Sequence, residues 1–202
     1  MALSYPIVFP TGVAIRDIRW HAISKVAQSE SPFTGEQQVV AHEGTWFEIE
    51  IQLPPMTRAQ AEDFVGFLLA MRGRFGTFTL GDPDGGTPQG TATGTPLVNG
   101  ASQTGTTLVT DGWDINQTSL LKRGDWIQIG SYAYKITQDA SSDGSGNATL
   151  EIFPALRSSP ANNAAITTTN TTSLWRLSSN DTLWSVDDLV HYGITITARE
   201  AL

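Results

Sequence analysis

Glu48 and Glu50 stand two residues apart in the run TWFEIEIQL. In an extended chain a two-residue step covers about 7 Å and returns to the same face. At that spacing one carboxyl could act as an acid while the other stays ionised, as in glycoside hydrolysis. The phase of the neighbours favours another reading. Phe47, Ile49, Ile51 and Leu53 alternate with Trp46, Glu48, Glu50 and Gln52, so the pair occupies the wet face of a half-buried strand. His21, His42 and His191 lie far apart, with no HxH or HxxxH spacing that would hold a metal ion. Asp82-Pro83-Asp84-Gly85-Gly86 opens like a calcium loop but lacks the third carboxylate, the placed glycine and the closing glutamate, and reads as a β-turn. Asp143-Gly144-Ser145-Gly146 lacks GxSxG spacing and reads as a hairpin turn. The absence of cysteine excludes disulfides, thiol catalysis and cysteine-ligated zinc. No catalytic residue, cofactor or metal site is assigned, and the expectation is a protein that is not an enzyme.

The remaining candidates are contact residues. Arg72 and Arg74 flank Gly73 at an expected helix C-terminus, where the dipole favours cations, and either local stabilisation or a subunit contact would use them. Trp113, Trp126, Tyr132 and Tyr134 enrich one stretch in aromatics that would serve as core, as interface anchors or as platforms for sugar rings. In DWIQIG, Trp126 is out of phase with Ile127 and Ile129, which marks it as an interface candidate.

These residues depend on one well-punctuated unit, Thr45–Asp82. Its first strand ends at Pro54-Pro55, since proline supplies no backbone donor and restricts the residue before it. Thr57 and Gln60 fit a capping box. Ala61, Phe64, Val65, Leu68 and Met71 then follow helical spacing, Gly73 is the expected stop, and Phe75–Leu80 is a strand. Upstream, Arg16–Gln28 and Gln37–Ala41 are strand-like around a Ser29–Glu36 loop, with His42-Glu43-Gly44 expected to turn the chain back. Ile18, Trp20 and Ala22 share one face.

After Asp82 the composition shifts to threonine and glycine without helical periodicity. PDGGTPQGTATGTP reads as a linker, followed by short strands at Thr106–Thr110, Trp126–Gly130, Ala133–Gln138, Ala148–Phe153 and Ala164–Thr168. Turns are expected at Asp111-Gly112, Gly130-Ser131 and the DGSGN cluster. Leu174–Leu202 is strand-like again, with Tyr192, Ile194, Ile196 and Ala198 on one face. Those residues are too few for a core of their own. The expected organisation is therefore mainly β: an α+β first domain from 1–82 plus 174–202, an antiparallel β-sandwich with one packed helix, interrupted by an inserted small all-β barrel or sandwich at 83–173.

Twenty acidic against twelve basic residues give a net charge of −8, spread along the chain. That balance argues against binding nucleic acid by phosphate neutralisation and suits a surface along which nucleic acid slides. MALSYPIVFP lacks the basic and apolar regions of a signal peptide, and no run approaches a membrane span.

VVAHEGTWFEIEIQLPPMT, AEDFVGFLLAMRGRFGTFTLGDP and the terminal ITITAREAL together resemble the distal tail and minor tail proteins of long-tailed bacteriophages. The likeness is strongest over Val39–Pro83 and looser in the insertion. It implies a virion protein, made in the host cytoplasm, that forms a homo-oligomeric ring, commonly a hexamer. Such a ring joins the tail tube protein to the tip or hub proteins at the baseplate, and DNA passes through it without specific binding. In that setting Glu48 and Glu50 are the lumen candidates, because a basic wall would hold phosphates. Residues 1–82 carry nine acids against six bases, and 174–202 four against two. The alternative is a carbohydrate-binding module, with the inserted β-domain taking a glycan during adsorption.

Overall fold

A computed structural model describes residues 3–188 and 191–202, apart from the side chain of Glu43. Met1 and Ala2 of the MALSYPIVFP segment lie outside the described residues. In chain order the elements are β1 (Ile7–Val8), β2 (Asp17–Glu30), β3 (Gln37–Gln52), α1 (Arg58–Met71), β4 (Phe78–Leu80), β5 (Gly94–Val98) and β6 (Thr107–Trp113). There follow β7 (Trp126–Ile129), β8 (Tyr132–Ile136), β9 (Ala148–Phe153), β10 (Ile166–Thr167), β11 (Ser173–Leu177), β12 (Ser185–Val186), β13 (Tyr192–Gly193) and β14 (Thr195–Glu200). The protein is mainly β, with one helix among the described residues.

The first sheet has the order β1-β4-β11-β14-β3-β2 and draws on both ends of the chain. All its pairings are antiparallel except β1 with β4. The period-2 pattern works as expected on β3: Phe47, Ile49 and Ile51 are buried, as is Leu53 just beyond. On β14 the same inward phase carries Ile196, Ala198 and Glu200. Helix α1 turns Ala61, Phe64, Val65, Leu68 and Met71 into this core, together with Phe67, which the helical spacing had not singled out. Gln60 closes the helix start by accepting the Thr57 N–H at 3.1 Å. The stop lies one residue earlier than glycine alone suggested: Arg72 itself is left-handed at φ 52°, with its N–H donated to the Leu69 carbonyl. Gly73 follows at φ 63°, and a Cβ there would stand 2.8 Å from the Asn180 backbone, so only glycine lets the tail pass so close. The N-terminal segment, with few elements legible in its sequence, contributes Phe9, whose ring packs edge-on against Phe64 and Phe67.

The second sheet, β10-β7-β8-β9-β6-β5, is nearly closed. A bridge between Leu97 and Ala165 brings its two ends together, supported by bonds between Val98 and residues 163 and 164. Its interior holds Leu108, Leu120, Leu121, Ile127, Ile136 and Leu150 among others. Gly130-Ser131 is the two-residue hairpin between β7 and β8. Asp143 organises the DGSGN turn by accepting the N–H groups of Ser145 and Asn147, each at 2.8 Å. The Asn147 side chain, first, and these backbone donors hold the Asp143 carboxyl below the usual carboxylate range.

Two expected turns are strands instead. His42-Glu43-Gly44 lies inside the continuous β3, where the pairing jumps from Ser24↔Thr45 to Lys25↔His42 and leaves two residues bulged. Asp111-Gly112 lies inside β6, with Gly112 at φ 76° and closer to the Thr95 carbonyl than any side chain would allow. In both places glycine marks a bulge within a strand. β5 was hidden in the expected linker because Pro96 interrupts it. The proline sits where the β5–β6 register shifts between Gly94 and Leu97, a position that needs no donor.

Leu80 and Ser173 are direct cross-strand partners, so the chain leaves and re-enters the first sheet at adjacent points. Phe64 is 1% exposed in the core between sheet and helix. Phe64→Ala should therefore lower the unfolding free energy by about 3–5 kcal/mol in urea titration. A loss well under about 1 kcal/mol would mean that α1 does not share the sheet's core.

Candidate interaction surface

Both units pack into one seam. Trp126, from β7, is 5% exposed and lies 5.2 Å from Trp20 and 5.3 Å from Phe47 by ring centroids, while Phe153 from β9 meets Phe47 at 5.2 Å. Asp82 accepts the Trp126 indole N–H at 2.9 Å. The same Asp82 carboxylate accepts from Asp84 N–H, and its carbonyl accepts from Gly85, so DPDGG forms a turn whose side chain points into the seam. Lys135 lies over the Trp126 ring at 4.2 Å, and its burial lowers its pKa against the opposing pull of Asp82. Trp126, proposed from its phase as an interface anchor, thus holds the barrel to the first sheet within one chain.

An ion pair closes the other side of the seam. The Arg157 guanidinium grips both oxygens of Glu200, and its third nitrogen donates to the Thr45 carbonyl. Glu200 also accepts the Phe47 N–H at 3.2 Å, and the Arg157 N–H donates to the Tyr134 hydroxyl at 3.2 Å. Burial raises the Tyr134 pKa, partly offset by that bond and by the Arg157 charge. The side chains of Arg157 and Glu200 are 10% and 1% exposed. The sequence carried a signal for this pair. Glu200 continues the buried phase of Ile196 and Ala198, and a charge in a buried phase requires a partner.

The opposite face of the first sheet is solvent-facing and mixed in sign. Glu48 and Glu50 share it at half exposure. Glu48 accepts the Trp46 indole N–H at 2.9 Å, and Glu50 lies 3.6 Å from Arg19. Arg199 pairs across the ladder with Glu48, and Arg176 with Arg199. Arg199 stacks on Trp46 at 4.0 Å. Arg74 donates to the Ser178 carbonyl, while Arg176 donates to the carbonyls of Arg74 and Phe75 at 2.6 and 2.7 Å. Arg72 is exposed beside them at the helix end. Arg74, Arg176 and Arg199 line a groove of about 470 Å³ with Glu48, Leu177 and Leu202. A neighbouring groove of about 480 Å³ shares Arg199 and Leu202 and reaches Trp46 and Tyr132. Arg176 and Arg199 were not legible as site residues, because their neighbourhood exists only once β11 lies beside β14.

The three histidines remain apart in role. His21 sits opposite Glu48, His42 opposite Lys25, and His191 is 3.6 Å from Asp187. Among the described residues no cluster of three or more His, Asp or Glu could hold a metal ion.

Beyond the bulge, β2 and β3 continue as a two-stranded arm, residues 25–42, that pairs with no third strand among the described residues. Six residues of strand reach about 20 Å. Val26, Val39 and Val40 are exposed along it, and Phe33 at its tip is 95% exposed.

Arg157→Ala should cost about 3–5 kcal/mol in denaturant unfolding, because it leaves Glu200 charged and buried without a partner. Glu200→Gln combined with Arg157→Met should recover much of that loss; equal losses in the single and double variants would mean that the pair does not carry the seam.

Neither a protein-family model nor a curated protein sequence matches this chain.

Proposed function

We propose that this chain is a structural virion protein that forms a ring at the distal end of a phage tail and joins the tube to the tip around the DNA channel. The observation that carries the reading is the bare arm. An isolated two-stranded hairpin is marginal in water, and this one offers both faces and both edges to solvent along with a fully exposed phenylalanine. Such an element is completed by another molecule. A rigid body with one projecting arm makes a heterologous contact, in which one patch meets a different patch on the neighbour, and repetition of that contact gives a ring where the rotation between copies closes. The sequence resemblance over Val39–Pro83 supplies the setting.

A glycan-binding role for the barrel draws less support. Trp113, Trp126 and Tyr134 are buried, which leaves half-buried Tyr132 as the one aromatic of the four with surface to offer a sugar.

Mass photometry and negative-stain imaging of the purified chain should give a closed ring with a central hole. A monomer at all accessible concentrations would overturn the reading. Within the ring, Glu50, 3.6 Å from Arg19, is assigned to the lumen, with Glu48 at the lumen edge of the same sheet face. Glu48→Lys with Glu50→Lys makes that wall basic and should impair DNA delivery while the subunit stays folded. Normal infectivity of particles carrying the double variant would remove the lumen assignment.

A further inference from the structure

We infer that the tip of the β2–β3 arm, with Phe33 between Glu30 and Glu36, docks in the groove of a second copy of this chain lined by Arg74, Arg176 and Arg199. The inference rests on the ring reading and names the two patches that meet.

Charge complementarity selects the occupant. The arm, residues 25–42, carries two carboxylates, Glu30 and Glu36, flanking its tip, and its one lysine, Lys25, lies at the base against Trp46. The groove gathers three of the chain's twelve basic residues in a protein with a net charge of −8. Its own acids do not balance them: Glu200 is taken by Arg157, and Glu48, the cross-strand partner of Arg199, also stands opposite His21. Among the described residues no carboxylate lies within 4.0 Å of Arg74, Arg176 or Arg199. Arg176 and Arg199 are also direct cross-strand neighbours, an arrangement of like charges that disfavours the free sheet and is relieved by an incoming anion. The carbonyls that hold Arg74 and Arg176 orient these guanidiniums without cancelling their charge.

Shape and apolar surface agree with the charges. The two grooves meet at Arg199 and Leu202, giving an open trough on the exposed sheet face. Leu202 is exposed within it, and Phe75 is exposed on the helix–strand turn whose carbonyl receives Arg176. Phe33 has no apolar neighbour to bury it at the end of its own arm. Seated against Leu202 it would be desolvated at the centre of a ring of Arg–Glu pairs, the arrangement in which an aromatic anchor contributes most. The arm's tip and the Arg74–Arg176–Arg199 patch are formed by different residues, so the contact is heterologous and can close a ring.

The chain contains no cysteine, so a two-cysteine variant reports the contact without background. In Thr34→Cys/Leu202→Cys, mild oxidation should link successive copies into a ladder ending at the ring's subunit number on a non-reducing gel. Phe33→Ala should weaken assembly at least roughly tenfold. Glu30→Lys with Glu36→Lys should abolish the ladder, and adding Arg74→Glu with Arg199→Glu should restore it, each variant being checked for an unchanged circular dichroism spectrum. An oligomer of unchanged mass without a ladder, or an arm reversal that the groove reversal does not rescue, overturns this docking and leaves the ring reading standing. A monomer without a ladder up to the solubility limit overturns both.

Discussion

The buried pair between Arg157 and Glu200 is the constraint on which the subunit's shape depends. Glu200 sits in the inward phase of β14, where its neighbours are Ile196 and Ala198, and a lone carboxylate there would be prohibitively desolvated. Arg157 arrives from the barrel and satisfies both oxygens while also taking the Thr45 carbonyl. Such a pair contributes less to net stability than to uniqueness. Losing the observed orientation of barrel on sheet would leave Glu200 buried without its counter-charge, which disfavours other orientations.

The aromatic side of the seam then adds the favourable burial. Trp20 and Phe47 lie on the inner face of β2 and β3, and Trp126 and Phe153 cover them. Trp126, Ala133 and Phe153 of the barrel thus join the core of the first sheet, while the barrel keeps its own interior around Leu108 and Ile127. Removing it would uncover Trp20, Phe47 and Trp175 even though Leu80 and Ser173 are close enough to be joined. Rigidity follows from this sharing, and a rigid body is what a closed ring of repeated contacts requires.

Against that rigid body, the arm and the arginine groove are the two places where local rules remain unmet. The arm exposes apolar side chains on a two-stranded ribbon, and the groove sets two arginines side by side on neighbouring strands. Each is costly in the isolated subunit, the first as exposed apolar surface and the second as adjacent like charges. The arm's tip carries carboxylates and the groove carries guanidiniums, and on these opposite signs the proposed docking rests.

Periodicity and punctuation alone determined much of this molecule. The inward phase of β3, the apolar stripe of α1 with its Thr57–Gln60 start, the Gly130-Ser131 hairpin and the strand character of the tail are local properties, set by the two-residue and 3.6-residue repeats and by glycine and proline chemistry. Tertiary structure decided what those repeats leave open. Gly44 and Gly112 carry the same local signal whether the chain turns or bulges, and only a partner strand continuing past them makes the difference. Trp126 is out of phase with its strand's aliphatic side in either a core or an exposed setting; the rings it meets, Trp20 and Phe47, lie 106 and 79 positions earlier in the chain. Arg176 and Arg199 become one charged patch because β11 pairs with β14, a long-range choice made by the burial of Trp175, Leu177 and Ala198 beneath them. Sequence spacing encodes which face a residue occupies, whereas the neighbours on that face are set by strand order, which depends on contacts distant along the chain.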